Sequence, residues 1–306
     1  MSTDSAAPST PTAPTALPAA RPLYWSIRRE LWENRSVYLA PLAVAALVLF
    51  AMSIHGTVRL PQRVRAAAAN DRGGPQITAV TPYAVAPAPI MFTTILVGMF
   101  FCLDALYGER RDRSILFWKS LPVSDRTAVL AKAAVPFVIL PAIGFALSVA
   151  VMSVLMALGT VVLVANGLRP TALWAQVGVV SEPLIMLYGL AVHVLWHAPI
   201  YGWFLLISAW ARRTPFLWAV LPPLALAAAE HLAFQTSYVG AFLRYRLGGA
   251  MKEAFILEAG KTGNISRLSQ LDLLGFLATP GLWIGLIAAA AFLVAAARLR
   301  RNREPI

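Results

Sequence analysis

Six long apolar stretches constrain this chain more than any other feature of its sequence. A helix needs about 20 residues to cross the hydrocarbon core of a bilayer, and lipid offers no hydrogen-bond partner to an unpaired backbone amide. Charged or polar connections separate the six stretches. The sequence therefore predicts an all-α, polytopic membrane protein with six transmembrane helices, approximately at residues 37–54, 85–106, 135–165, 184–211, 215–234 and 280–297.

The composition excludes several other classes of protein. Of the 306 residues, 58% are hydrophobic and 13% are charged, whereas a soluble domain typically carries about a quarter charged residues. The net charge of +12 comes from Lys and Arg near helix ends, where anionic lipid head groups attract them. We therefore expect membrane lipid, and no nucleic acid, as the partner of this charge. Cys102 is the only cysteine, so the chain has no internal disulfide and no cysteine-based metal site.

The N-terminal residues differ in composition from the rest of the chain. Residues 1–22 are rich in Pro, Ala, Ser and Thr and show no apolar period, which predicts a disordered tail before a single transmembrane domain at 23–306. Of the 26 Lys and Arg residues, 16 fall on the side of the membrane that holds both termini. The positive-inside rule therefore predicts that both termini are cytoplasmic.

A short amphipathic segment, residues 23–35, precedes the first stretch. Its apolar members are Leu23, Ile27, Leu31 and Trp32, and its charged members are Arg28, Arg29, Glu30 and Glu33. This division predicts a helix that lies on the membrane surface, with its charged residues toward water. The alternative is a cytoplasmic extension of the first span, because Trp and Arg also anchor span ends.

The most informative polar segment is the cytoplasmic connection at 107–132. A charged run at 109–113 precedes an apolar patch at 115–118, and Ser124 has the character of a helix cap. The segment is too short to cross the bilayer, which predicts one or two short helices at the surface. An orientation signal needs charge alone, whereas a docking surface for another protein also explains the apolar patch. The predicted docking residues are Arg110, Arg111, Arg113, Ile115, Leu116, Phe117, Trp118 and Lys119.

Ionisable residues at membrane depth are costly, so each needs an explanation. We expect Asp104 to pair with Arg110 or Arg111. Glu182 and Glu230 lie near span ends on the external side, where water reaches a carboxylate.

Two histidines stand four residues apart on one helical face, a spacing that lets two imidazoles share a metal. The motif HVLWH lacks the glutamate of a zinc-protease helix, and no third ligand is evident, so we expect no metal. A hydrogen-bonded packing or lining role is favoured, with substrate or proton contact as the alternative. The candidate pathway-lining residues are His193, His197, Glu182 and Glu230.

Two features of the external side complete the prediction. The connection at 235–279 contains apolar patches too short to cross the membrane, which predicts short re-entrant or interfacial helices. Gly281 and Gly285 at the start of the sixth stretch have the spacing of small residues that permit close helix contact.

Two segments of the chain resemble the permease subunits of bacterial type-2 ABC (ATP-binding cassette) exporters. They are GERRDRSILFWKSLPVSD at 108–125 and PIYGWFLLISAWARRTPFLWAVLPPLAL at 199–226. In that family a surface helix precedes the first span, and a coupling helix after the second docks into a separate ATPase. Residues 23–35 and 113–125 occupy these positions here. The external connection at 57–84 departs from the better-known members because it is comparatively long and rich in arginine.

The resemblance implies a transport subunit of the bacterial inner membrane rather than an enzyme. It would export an amphiphilic small molecule, peptide or lipid by alternating access. The implied partners are two ATPase copies and a second permease subunit, with a homodimer favoured over a heterodimer. The resemblance implies no cofactor in this chain, and ATP and Mg in the ATPase.

Besides an interaction or sensory membrane protein that binds a ligand with its external loops, two other classes of function remain open from the sequence. One is an ion-coupled secondary carrier that uses its acidic and histidine residues as a proton relay, and transport without any ATPase would support it. The other is an intramembrane metal-dependent enzyme that uses His193 and His197, and stoichiometric zinc would support it.

Overall fold

The computed structural model describes residues 20–69, 83, 85–120, 123–178, 180–256, 265 and 267–302. Nearly all of these residues are helical, and the one strand-like pairing among them is an antiparallel bridge between Phe255 and Leu271. Four predicted segments fall wholly or partly outside this range: the tail up to residue 19, the connection at 57–84 from residue 70 onward apart from residue 83, residues 121–122 of the connection at 107–132, and residues 257–264 and 266 of the connection at 235–279.

Within the described residues, six helices are long and apolar enough to cross a membrane. We call them spans 1 to 6, and they are Ser36–His55, Pro87–Arg111, Asp125–Ala165, Ser181–Trp210, Pro215–Phe234 and Pro280–Asn302. This number confirms the predicted all-α class, and it indicates a multi-pass membrane protein. The bounds of span 5 are those predicted from the sequence.

Shorter helices lie before span 1 and in the connections. They are Ala20–Glu33, Leu60–Ala69, Ser114–Lys119, Thr171–Val177, Tyr238–Gly248, Ala250–Ala254 and Leu273–Ala278. Because the spans alternate in direction, the helix before span 1, the connection after span 2 and the end of span 6 share one side. We call this side the basal face and the opposite side the distal face.

Span 3 begins ten residues earlier than the sequence predicted. Its first helix is Asp125–Ala134, and the hydroxyl of Ser124 accepts a hydrogen bond from Thr127 N at 3.1 Å, which confirms the predicted cap. A π-helical turn at Val135–Ile139 then leads into the helix Leu140–Ala165. The sequence placed a helix cap at Ser124 and the apolar stretch at 135–165, and the structure joins the two in one helical run because the charged residues between them continue the helix.

Spans 4 and 6 approach each other closely at Gly202. A Cβ atom added to Gly202 would lie 3.2 Å from the backbone oxygen of Ala289 and 3.3 Å from its Cα. Backbone atoms cannot rotate away as a side chain can, so a larger residue here would require the two helices to shift by a few tenths of an ångström. Span 5 joins the bundle through the Trp203 indole, which donates to Ala219 O at 3.0 Å, while most of its own residues stay exposed.

The helix Tyr238–Gly248 contacts the middle of span 4 and the distal start of span 6. The guanidinium of Arg246 donates to Trp196 O at 3.3 Å and to Gly281 O at 3.0 Å, and it stacks on the Trp196 ring. A Cβ atom on Gly285 would overlap this guanidinium. The small-residue pair therefore makes room for the side chains of this distal helix. Burial lowers the pKa of Arg246 below its usual value.

Candidate functional site

A buried cluster of charged side chains lies at the basal face. Lys132 of span 3 is 2% exposed, and its ammonium contacts both carboxylate oxygens of Glu30 at 2.9 and 3.0 Å. The same nitrogen lies 3.1 Å from Glu109 Oε1. Arg300 of span 6 contacts the other oxygen of Glu109, Oε2, at 3.2 Å. We call Glu30, Glu109, Lys132 and Arg300 the basal ion cluster.

Two partly exposed residues border this cluster. Arg29 donates to Glu109 Oε1 at 3.2 Å and also contacts Glu30, and Asp125 accepts a hydrogen bond from Arg300. With these two included, three acidic and three basic residues balance one another. Charges inside a protein are tolerated when each has a partner of opposite sign, as is the case here. The contacts of the cluster join the helix Ala20–Glu33 to the ends of spans 2, 3 and 6.

The orientation of the helix Ala20–Glu33 differs from the predicted one. Glu30 was expected to face water, but its side chain is fully buried against Lys132. Trp25 and Trp32 are exposed and flank Arg28, whose guanidinium carbon lies 5.2 and 4.6 Å from their ring centroids. The ion pair therefore decides which side of this helix faces the protein. Burial raises the pKa of Glu33 at its end.

Two of the predicted docking residues are buried, and a third pairs with neighbouring carboxylates. Arg110 is buried and donates to the backbone oxygens of Ala209 and Ala211 at 2.8 and 3.1 Å. Ile115 is buried as well. Arg111 lies 3.7 Å from Asp104, which confirms the predicted pairing. It also hydrogen-bonds Asp112 at 2.9 Å, which lowers the pKa of that carboxyl.

Exposed Leu116 and Phe117, together with half-buried Trp118, form an apolar surface on the helix Ser114–Lys119. Leu116 and Phe117 are 59% and 60% exposed, and the Phe117 ring contacts the edge of Trp118. The guanidinium carbon of Arg29 lies 4.0 Å from the centroid of the Trp118 ring. This surface therefore stands directly on a residue that borders the basal ion cluster.

Two charged residues bound that surface. Arg113 precedes the helix Ser114–Lys119 in a left-handed conformation, with φ of 57°, and its side chain is exposed. Lys119 is exposed and donates to the backbone oxygen of Arg301 at 3.3 Å. The apolar surface is thus flanked by cations. Lys and Arg side chains are more stable at the boundary between membrane and water than in the hydrocarbon core of the membrane.

Ser208 of span 4 holds the start of this connection in place. Its hydroxyl oxygen is buried and accepts hydrogen bonds from Leu106 N at 3.0 Å and Tyr107 N at 2.9 Å. Both amides lie where the helix Pro87–Asp104 has ended, so the serine takes the role of a missing helical carbonyl.

Replacing Ser208 with alanine should lower the free energy of unfolding by about 1–3 kcal/mol, because two backbone donors lose their acceptor. Thermal unfolding of the purified protein in detergent measures the change. Ser153→Ala is the control, because the Ser153 hydroxyl is exposed and bonds only Val149 O of its own helix. Equal melting temperatures for the two variants would contradict this role of Ser208.

The two histidines of span 4 form a stacked pair at mid-depth. Their ring centroids lie 4.4 Å apart, and His193 Nε2 lies 3.0 Å from the hydroxyl of Tyr201. His197 Nδ1 donates to the backbone oxygen of His193 at 3.0 Å, and its Nε2 lies 3.3 Å from Leu247 O. The pair is therefore held by hydrogen bonds, in agreement with the favoured prediction. Within the described residues, no group of three or more His, Cys, Asp or Glu could hold a metal ion.

A cavity of about 270 Å³ lies beside this pair, between spans 2, 3 and 4. His193 and Tyr201 line it, whereas His197, Glu182 and Glu230 do not. Glu182 lies in the first turn of span 4. Glu230 accepts hydrogen bonds from Tyr238 N and Val239 N, both at 2.7 Å, and so caps the helix Tyr238–Gly248. The structure thus keeps the two histidines together and places Glu182 and Glu230 apart from them.

Sequence reasoning missed the four residues of the basal ion cluster as a group. Lys132 and Arg300 resembled ordinary cations at span ends, and Glu30 resembled a residue that faces water. The only local signal was a carboxylate at position 109 inside an arginine run.

The chain was compared with protein-family models, curated proteins and solved structures, and no match was found in any of the three.

Proposed function

We propose that this chain is the transmembrane permease subunit of an ATP-driven ABC exporter in a bacterial inner membrane. In this proposal the basal face is cytoplasmic, and a separate ATPase subunit docks on Leu116, Phe117 and Trp118. Two copies of the chain would enclose a pathway for an amphiphilic small molecule, peptide or lipid. Two ATPase copies, which bind the ATP and Mg, would supply the energy.

One observation carries this proposal: an exposed apolar surface stands on a buried and fully paired ion cluster. Exposed aromatic and aliphatic side chains among cations are typical of the centre of a protein interface. A cluster with its charges paired resists deformation, because separating buried charges is costly. A push on Phe117 would therefore pass through Arg29 and Glu109 to spans 3 and 6.

The hydrogen bonds of the connection support the same mechanism. Ser208 and Arg110 fix the start of the segment to span 4. Lys119 fixes its end to span 6 through Arg301 O. A short helix held at both ends would move as one unit with these spans. Alternating access requires such a rigid connection between the site of ATP hydrolysis and the pathway.

The two alternative functions gain less support. A proton relay needs acidic and histidine residues within reach of one another, but Glu182, Glu230 and the histidine pair lie in separate places. A metal-dependent enzyme needs further ligands around His193 and His197, and none stands beside them in the described part of the chain.

The test of the proposal is the variant Phe117→Asp. The tagged wild-type chain should co-purify with an ATPase that carries ATP-binding-cassette motifs, identified by mass spectrometry and then produced on its own. Binding of this ATPase to the variant should be at least about thirtyfold weaker, because a central aromatic contact is typically worth 2 kcal/mol or more. Titration of the ATPase against both proteins in nanodiscs measures the difference.

Leu274→Asp is the matched control, since Leu274 is also an exposed apolar residue of a short helix but lies on the distal face. It should bind the ATPase as the wild type does. Two results would overturn the proposal: wild-type affinity and wild-type ATPase stimulation in Phe117→Asp, or the absence of any ATP-binding-cassette protein from the purified wild type.

A further inference from the structure

The cavity beside His193 results from three irregular features that meet at mid-depth. The π-helical turn Val135–Ile139 widens span 3, and the rings of Pro136 and Pro141 line the opening. On span 4, Gly189 contributes no side chain, and a Cβ atom added there would meet only Phe255, at 3.7 Å. Single π-helical turns inside helices often occur at functional sites.

The walls of the cavity are almost entirely apolar. Met91 and Ile95 of span 2, Leu140 of span 3, and Met186 and Leu190 of span 4 form most of the lining. Placing a charged group among such side chains would carry a large desolvation cost. The lining therefore favours an uncharged and mainly apolar occupant.

The polar atoms of the lining leave one position open for a hydrogen bond. The Thr94 hydroxyl donates to Met91 O in its own helix, at 2.7 Å. The Tyr201 hydroxyl pairs with His193 Nε2. Among the described residues, Nδ1 of His193 has no hydrogen-bond partner. His193 is half-buried, and a ligand that supplies Nδ1 with a partner in these apolar surroundings gains a hydrogen bond.

We propose that this cavity binds an uncharged, mainly apolar molecule that carries one hydroxyl group, with the hydroxyl at His193 Nδ1. A hydroxyl both donates and accepts, so it suits either tautomer of the imidazole. The stacked His197 and the bond to Tyr201 hold the ring in position for this contact. The volume of about 270 Å³ is nearly twice the roughly 150 Å³ that accommodates benzene in an engineered protein cavity. A molecule the size of an eight-carbon alcohol matches it.

This site lies within one copy of the chain and needs no ATPase, so it does not depend on the proposed function. The experiment uses the purified full chain in nanodiscs and an eight-carbon alcohol that carries a photoreactive diazirine. Irradiation should label peptides that contain Met91, Met186 or Leu190, and excess octanol should remove this labelling. The same diazirine on an alkane without the hydroxyl should label these peptides roughly two- to tenfold less, because it lacks one hydrogen bond.

Two kinds of variant test the cavity volume and the hydrogen bond to His193 separately. Ile95→Phe narrows the cavity from span 2 and should reduce the labelling at least about tenfold, and Leu190→Phe should do the same from span 4 if the first variant does not fold. His193→Leu should remove the preference for the alcohol over the alkane. Gly240→Leu is the control, because an added Cβ atom at Gly240 meets nothing within 4 Å.

Two outcomes would overturn the assignment. Undiminished labelling in both variants that narrow the cavity would show that the molecule binds elsewhere. Equal labelling of the wild type by the alcohol and the alkane would show that His193 makes no hydrogen bond to the ligand.

Discussion

Replacing Lys132 with methionine should lower the free energy of unfolding by about 3–5 kcal/mol, the usual cost of removing one partner of a buried ion pair. Methionine is similar in length and apolar, so the loss of the charge dominates the loss of packing. Glu30, which is fully buried, would keep only its contact with Arg29, and Glu109 would lose one of three cations. Reversible unfolding by SDS in mixed micelles measures the change.

The control for this prediction is Arg111→Met. Arg111 pairs with Asp104 and Asp112, but all three side chains are more than half exposed. Exposed ion pairs contribute at most about 1 kcal/mol, so this variant should remain close to the wild type. The two changes remove the same charge from the same face, and they differ in burial.

A second variant tests the electrostatic origin of the effect. Glu30→Gln in the Lys132→Met background removes the carboxylate that the first change leaves poorly paired. The double variant should therefore be more stable than Lys132→Met alone, although two single losses would ordinarily add. A loss below about 1 kcal/mol for Lys132→Met, or a double variant less stable than that single variant, would contradict the importance of the cluster.

Replacing Gly285 with leucine should displace the distal helix Tyr238–Gly248 and lower stability by about 1–3 kcal/mol, as overpacking of a well-packed core does. The new side chain would occupy the space of the Arg246 guanidinium, which would lose its hydrogen bond to Gly281 O. Leucine favours a helix over glycine by up to about 1 kcal/mol, so the observed loss is a net value. Unfolding experiments and amide hydrogen exchange in the distal helix measure it.

Gly240→Leu also controls this prediction, because it adds the same side chain to the distal helix without any close neighbour. It should leave hydrogen exchange and stability unchanged or slightly improved. Arg246→Ala should make Gly285→Leu less harmful, since the two side chains then no longer compete for one space. Equal stability of Gly285→Leu and Gly240→Leu would contradict the proposed packing.

The two stability predictions concern opposite faces of the same bundle. At the basal face, buried charges join the helix before span 1 to spans 2, 3 and 6. At the distal face, Arg246 joins one short helix to spans 4 and 6 through backbone oxygens. Span 6 takes part in both, although its sequence suggested only an apolar helix with a basic end. The proposed exporter would move this span whenever the basal surface is pushed.

Much of the fold was predictable because its signals are local. The ends of span 5 agree with the sequence prediction, since Pro215 begins the helix and the apolar run ends with Phe234. Ser124 caps the helix that follows it, and Asp104 pairs with Arg111 at a separation of seven residues. In each case the residues that interact are close in sequence, so their spacing alone predicts the contact.

The start of span 3 could not be predicted from local spacing. Asp125, Arg126 and Lys132 lower the hydropathy of its first ten residues, which therefore resemble a connection. Lys132 nevertheless lies inside the bundle because Glu30 and Glu109 neutralise it. A hydropathy pattern includes the charge of Lys132, but it gives no information about the carboxylates of Glu30 and Glu109 that neutralise this charge.

Some features of the candidate site were likewise predictable from local sequence, and others were not. Exposed Leu116 and Phe117, and the hydrogen-bonded histidine pair, agree with what their sequence context predicted. The burial of Arg110 and Ile115, the cap formed by Glu230 and the cavity beside His193 did not follow from any spacing. These features depend on which helices become neighbours and on the gaps that remain between them.

The sequence by itself determined that six apolar helices form, because the hydrogen bonds of a helix are internal and lipid accepts no other backbone arrangement. Only the tertiary structure decided which charges became buried. Glu30 and Arg300 are 270 positions apart, and both take part in one ion cluster because spans 2, 3 and 6 converge at the basal face. The free energy of such a cluster depends on distances of 3 to 4 Å between side chains from different helices, and these distances arise only when the bundle has packed.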